Sequence, residues 1–307
     1  MKEDLLKKAY INAFGIDNKY IKDMIILNTK SLVDDITQRC VKIDKNRLKD
    51  ELLYYKFYGQ KLKDLNIINI LLPIIISNTN MKKSELEVLK VIKYHVLYNK
   101  ANEYMNDYIL ASLIYNTLIH SIIENSNIEY EDLMQKIKTV IIEFNHNMDK
   151  SEVIKFEMKR IQTIQAIDRY IDLKVSDYEN TNIITNLLNS IYDVYIEDRE
   201  VSLDGIKSIK KSILSILNLN IENNIDNIDF INSMSEYIIK LRKYKISKKE
   251  YNIKSDPRYL INLEIGDVKS DPILNNIKVV SKDFSNNILT INLVSKSGNY
   301  SFKFRKA

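Results

Sequence analysis

A chain of 307 residues, 45% hydrophobic and 28% charged, can bury a full core and keep a charged surface, which excludes disorder of the whole chain. Only 5 Gly and 3 Pro argue against doubly wound nucleotide-binding folds and Gly-rich phosphate loops, and one cysteine excludes an internal disulfide and a Cys-rich zinc motif. The formal charge of +5 is modest, and the abundance of Lys, Asn, Ile and Tyr, the residues of A- and T-rich codons, accounts for part of it.

The opening Met1-Lys2-Glu3-Asp4 leads into an amphipathic stretch rather than an apolar signal core. From residue 1 to about 250 the hydrophobic spacing is helical. The pair Asp34-Asp35 and the lone Cys40 fall between the first helical stretches, with the acids read as solvated helix-terminal groups that favour the macrodipole. Asp44 is placed to cap a helix through Leu48, Leu52 and Tyr55, which Gly59 stops in a left-handed conformation. The most apolar run, Ile67 to Ile76, carries Asn69 and Pro73 and is about half a membrane span, so no membrane segment is expected and the reading is a soluble cytoplasmic protein.

Ser84 followed by Glu87 reads as a capping box before Leu86, Leu89 and Ile92. After Asn102, the residues Tyr104, Tyr108, Ala111, Tyr115, Leu118 and Ile122 recur at steps of four and three. They draw one apolar stripe, widened by Ile109, Leu113, Ile114 and Ile119, and predict the central helix of the core. Ser126 or Asn127 opens a helix with Leu133, Ile137, Val140 and Ile141. Ser151 opens another, with Ile154, Met158, Ile161, Ile164, Ile167 and Ile171 on one face. Further helices are expected over 182–196, 203–218 and 229–245.

The period changes near Lys254. Tyr259, Ile261, Leu263 and Ile265 alternate with polar residues as a half-buried strand requires, residues 277–283 and 288–294 read as strands, and Tyr300, Phe302 and Phe304 mark a last one. Ser285-Asn286-Asn287 and Ser295-Lys296-Ser297-Gly298 are hairpin turns. A boundary at 246–256 then separates a helical domain, 1–250, from a small β-rich domain, 251–307. The fold class expected is mainly α, a multi-helix bundle followed by a small antiparallel β-sheet at the C-terminus, α+β overall.

Chemistry is sparse. His95, His120 and His146 are 25 and 26 residues apart, which matches no local metal signature, and structural roles are expected. Arg39 and Lys42 flank Cys40 and can lower its pKa, yet a lone cysteine is more often inert. Asp34 and Asp35 are the adjacent acids that invite a metal reading, although neighbours on a helix point about 100° apart. The run Lys240-Leu241-Arg242-Lys243-Tyr244-Lys245-Ile246-Ser247-Lys248-Lys249 has six basic residues and no acid. At a helix C-terminus such charges offset the dipole. The functional alternative is a polyanion-binding patch of Lys240, Arg242, Lys243, Lys245, Lys248 and Lys249 with Tyr244 for stacking, extended by Lys303, Arg305 and Lys306. Gly-rich phosphate loops, Gly-x-Ser-x-Gly elbows, His-Glu-x-x-His and kinase signatures are absent from the sequence, and no cofactor is called for.

Three stretches resemble, in order, those of the ADP-ribosylglycohydrolases, helical dimetal enzymes that cleave ADP-ribose from modified targets. Lys8-Ala9-Tyr10-Ile11-Asn12-Ala13-Phe14-Gly15 is similar to their glycine-rich opening helix, and Val33-Asp34-Asp35-Ile36 resembles their Thr-Asp-Asp-Thr metal motif. Asn218-Leu219-Asn220-Ile221-Glu222-Asn223-Asn224-Ile225 resembles a decayed Asn-Leu-Gly-Gly-Asp-Thr-Asp-Thr. Val33 and Ile36 replace both threonines, and the last stretch keeps neither glycine nor either aspartate. The resemblance implies a degenerate hydrolase or pseudoenzyme with Asp34 and Asp35 as its remaining metal ligands. The residues themselves favour a non-catalytic protein-interaction or scaffold protein, with a protein partner expected, nucleic acid a further alternative through the basic run, and the oligomeric state open.

Overall fold

The computed structural model describes residues 2–62, 67–145, 150–175, 182–199, 203–219, 221, 224–247 and 250–305. The chain is mainly helical and ends in a four-stranded antiparallel sheet. Its contacts divide it into two compact units, Met1–Ile43 with Leu62–Ser247, and Asp44–Lys61 with Lys248–Ala307.

The first unit opens with α1 (Lys2–Asn12) and α2 (Lys19–Lys30), followed by a hairpin, β1 (Leu32–Asp35) and β2 (Cys40–Ile43). After the 3₁₀ turn Ile68–Leu71 come α4 (Leu72–Ser77), α5 (Met81–Asn99), α6 (Met105–Glu124), α7 (Tyr130–Glu143) and α8 (Lys150–Ile171). The last three helices of the unit are α9 (Ile183–Tyr195), α10 (Asp204–Ile216) and α11 (Ile228–Arg242). Residues Asp107 to Ile123 of α6 are all buried, because other helices cover it on every side. A helix apolar all round has to sit there. The apolar run Ile67 to Ile76 is also wholly buried and supplies α4 and its preceding turn.

Close packing explains the serines of α10. Ser208, Ser212 and Ser215 lie at i, i+4 and i+7 and face Ala9 of α1 and Ala13 just after it, where the Ser208 hydroxyl donates to the Ala13 carbonyl at 2.8 Å and Asn12 donates to Ser215 Oγ at 2.8 Å. Side chains this small let the two backbones approach.

The hairpin was not expected: the sequence reading put a break between helices here, with Asp34 and Asp35 as helix-terminal acids. Its strands are four residues each, too short to show a period, and side chains from just after α4 and from α5 satisfy the free edge of β2. Asn78 accepts from the Val41 amide and donates to the Val41 carbonyl, both at 2.9 Å, and Glu87 Oε2 accepts from the Ile43 amide at 3.0 Å. Ser84 and Glu87 are therefore no capping box. Asn80 caps α5 through the Lys83 amide, while buried Ser84 donates to Asn116 at 2.7 Å. Likewise α7 starts at Tyr130 without a side-chain cap, later than Ser126 or Asn127.

The second unit is a sheet laid on one helix. Its helix is α3 (Lys45–Tyr58), capped as expected by Asp44, whose Oδ1 accepts from the Asn46 and Arg47 amides at 3.1 and 3.0 Å. Gly59 ends α3 at φ −82°, extended rather than left-handed, and is needed because a Cβ there would run into the Tyr55 ring. The strands are β3 (Val268–Asp271), β4 (Asn275–Ser285), β5 (Ile288–Ser295) and β6 (Gly298–Arg305), in sequence order and antiparallel throughout. The strand expected over Tyr259–Ile265 is instead a 3₁₀ turn, Pro257–Asn262, in which Pro257 takes the start of the turn and Asp256 caps it. The β4–β5 turn works as expected, with Asn286 and Asn287 at φ +50° and +60°, values that asparagine tolerates.

Alternation along the strands buries Ile277, Val279, Ile291, Leu293, Phe302 and Phe304 on the sheet's inner face. Tyr54, Phe57 and Tyr58 of α3 pack there, with Tyr58 and Phe57 rings 5.1 Å from those of Phe302 and Phe304 respectively. Beside this apolar layer, Asp271 is buried and accepts from Tyr54 Oη at 2.8 Å, Tyr259 Oη at 2.6 Å and the amides of Ile273 and Leu274 at 2.7 and 2.6 Å.

Candidate functional site

The basic run leaves α11 in several directions. The helix closes with the Lys245 amide on the Lys240 carbonyl at 3.0 Å and the Tyr244 amide on that of Leu241 at 2.8 Å, which puts Tyr244 at φ +54°. Arg242 turns back into the unit, where its guanidinium donates to the carbonyls of Ile76 and Asn78 at the end of α4 at 2.8 and 2.5 Å. Burial pushes its pKa down, with Tyr244 and Glu3 opposing that. Lys243 pairs with Glu3 at 2.6 Å, and the Tyr244 hydroxyl lies 3.4 Å from Thr79 Oγ1. Of the described residues of the run, Lys240 and Lys245 are exposed and without an ion pair, and Lys303 and Arg305 are exposed on β6; Lys248, Lys249 and Lys306 lie outside the described residues. The structure thus turns Arg242 and Lys243 to internal use.

Asp34 and Asp35 are neighbours on a strand, so their side chains leave opposite faces. Asp34 Oδ2 accepts from the amides of Ile246 and Ser247 at 2.9 and 3.0 Å and so holds the chain leaving α11. Asp35 pairs with Lys42 at 2.6 Å and accepts from the Gln38 amide at 2.8 Å, and the hydrogen bond from Lys42 holds its pKa down to about 2. Among the described residues no three His, Cys, Asp or Glu side chains gather as a metal would need. They are strand residues of a hairpin, not the helix-terminal acids expected.

Cys40 is buried in β2, where burial raises the thiol pKa despite Lys42, so the thiolate is disfavoured. His95 is fully buried, bonds Asn28 Oδ1 through Nε2 at 2.9 Å, and burial lowers its pKa to about 3. His120 is buried in α6 with Nε2 unpaired, and burial, reinforced by Arg242, lowers its pKa to about 4. His146 lies outside the described residues, as do Asn220, Glu222 and Asn223 of the last family-like stretch.

The surface feature that sequence reading did not find is on α8. Phe156, Thr163, Ile167 and Tyr170 are buried, and Lys159 pairs with Asp107 at 2.9 Å, so this side of the helix faces inward. Ile154, Met158 and Ile161, expected on the buried face, are 68%, 60% and 54% exposed. At i, i+4 and i+7 they form one outward stripe, flanked by the pairs Lys155–Glu152 at 3.2 Å and Arg160–Glu157 at 2.5 Å. The physical reason for the reversal is that α8 is apolar on both sides, and the side with the two aromatic rings buries more area.

Among the described residues no helix is long and apolar enough to cross a membrane. The chain matches no protein-family model, no curated protein and no solved structure. The likeness to the ADP-ribosylglycohydrolases rests on the three short stretches alone.

Proposed function

We propose that this chain is a non-catalytic protein-interaction module whose outward α8 stripe receives an amphipathic helix of a partner protein. The observation that carries the reading is the exposure of Ile154, Met158 and Ile161 on a helix whose opposite side is fully packed. Apolar anchors at i, i+4 and i+7 have the spacing by which helices recognise grooves and one another. Ion pairs on both sides of the stripe give it the polar rim of an interaction patch. Three side chains make a small patch, which suits a transient contact rather than an obligate one. The state of the histidines and of Cys40 is in keeping with it, since all that are described are buried and held in unreactive forms.

A photocrosslinking amino acid at Met158, in cells expressing the full chain, tests the reading. One discrete cross-linked partner is expected, identified by mass spectrometry, and Ile154→Glu or Ile161→Glu should abolish the product while leaving the melting temperature unchanged. A Met158 probe that yields no product, or one that persists in both variants, would refute it.

A further inference from the structure

A second feature lies elsewhere in the helical unit. An open cleft of about 820 Å³ runs between the start of α10, the loop joining α1 to α2, and the residues Asp198, Arg199, Ile221, Asn224 and Asp226. That volume suits a small metabolite. Its lining is unlike a drug-type pocket. Lysines, aspartates and one arginine dominate, Ile16, Leu214 and Ile221 are the apolar liners, and no aromatic ring lines it among the described residues. An apolar ligand would find little to bury, and a nucleobase would find no face to stack on.

The charges divide into spent and unspent groups. Lys210 is spent on Asp198 at 2.7 Å and on the Arg199 carbonyl at 2.7 Å, and Lys211 donates to the Gly15 carbonyl. Lys22 and Lys207 line the cleft with no ion pair among the described residues. Lys207 and Lys211 stand four apart on α10, and burial with the positive charge of Lys207 lowers the Lys211 pKa, which Asp17 and Asp204 oppose. The Ncap of α10, Leu203, makes no side-chain cap, and Asp204 in the first turn faces the positive end of the helix dipole. Asp17, Asp204 and Asp226 line the same cleft. They are too dispersed to gather a metal ion and are suited to accept hydrogen bonds from hydroxyl groups.

We infer that this cleft binds a sugar phosphate or a comparably small phosphorylated polyol. Lys22 and Lys207 take the phosphate, and the aspartates accept from the hydroxyls. A bare anion would use the lysines and leave the carboxylates facing it unfavourably, while a neutral sugar would leave the lysines unpaired. The phosphorylated polyol satisfies both sets.

Calorimetric titration of the full chain with glycerol 3-phosphate, ribose 5-phosphate and glucose 6-phosphate tests this, with ribose, glucose, inorganic phosphate and AMP as comparators. At least one phosphorylated polyol should bind at millimolar concentration or below, at least about tenfold tighter than its parent sugar and than phosphate. Lys207→Met and Lys22→Met should each weaken it by about tenfold, the scale of one charged hydrogen bond. Asp17→Asn should weaken the polyol phosphates while leaving inorganic phosphate binding no weaker, or tighter, because it removes a carboxylate facing the anion. Thermal melts of all three variants confirm that they fold. Absence of binding by every phosphorylated polyol, preference for AMP, or binding indifferent to both lysine variants in folded protein would overturn the inference.

Discussion

Replacing Asp271 by alanine removes one carboxylate and orphans several donors together. The side chain is 2% exposed and accepts four hydrogen bonds, from Tyr54, Tyr259 and the amides of Ile273 and Leu274. Tyr54 keeps a second partner in Ser255, so three of the four donors lose the partner described for them. A buried donor left unpaired costs roughly 1–3 kcal/mol, and relaxation or entering water recovers part of that. The expected loss is about 3–5 kcal/mol, a large share of the stability of a typical domain. The chain has no tryptophan and 20 tyrosines, so urea unfolding is best followed by circular dichroism, with tyrosine emission as the second probe. Asp271→Asn, which can still accept the two amides through Oδ1, should lose less than half as much. A loss below about 1 kcal/mol for alanine, or equal losses for the two variants, would show that the network is not what holds α3 and the sheet together.

Three further outcomes follow from buried groups. His120 has its pKa lowered from 6.5 to about 4 on folding, so the unfolded chain binds more protons between those values. Stability should therefore fall as the pH drops through that window, by up to the order of 3 kcal/mol from this residue, and His120→Gln should make the profile measured by urea titration shallower by that share, with His95, also lowered by burial, still acting in the same sense. Arg242→Ala orphans the carbonyls of Ile76 and Asn78 and should cost about 2 kcal/mol in the same assay, with Arg242→Lys failing to restore both contacts. Ser212→Leu puts a branched side chain where α10 meets α1 and should cost about 1–3 kcal/mol, which a melt indistinguishable from the parent chain would contradict.

The elements that could be read from the chain were those whose side chains report one environment along their whole length. A wide apolar stripe marked α6, and alternation with hairpin turns marked β4, β5 and β6. Asp44 announced α3 because a cap is a local interaction. The hairpin β1–β2 was invisible for the opposite reason. Its free edge is satisfied by Asn78 and Glu87, more than thirty residues away, and no local pattern records that. The alternation Tyr259-Ile261-Leu263-Ile265 misled because Asp256-Pro257 starts a 3₁₀ turn there, and Ile261 and Ile265 end up exposed.

Composition alone did not say which basic residues make contacts within the chain. The run 240–249 is basic on paper, yet in space Arg242 is a cap for α4 and Lys243 a tie to Glu3. The reverse happened on α8, where isoleucines at helical spacing look like core from the sequence alone. Periodicity shows that residues share a face, and the direction of that face is decided by competition between faces. With Phe156 and Tyr170 on one side, and Lys159 anchored to Asp107, the side carrying Ile154, Met158 and Ile161 loses that competition and remains available. Exposure that survives such a competition is a property of the fold, and so the α8 stripe, rather than the basic run, is where a partner should first be sought.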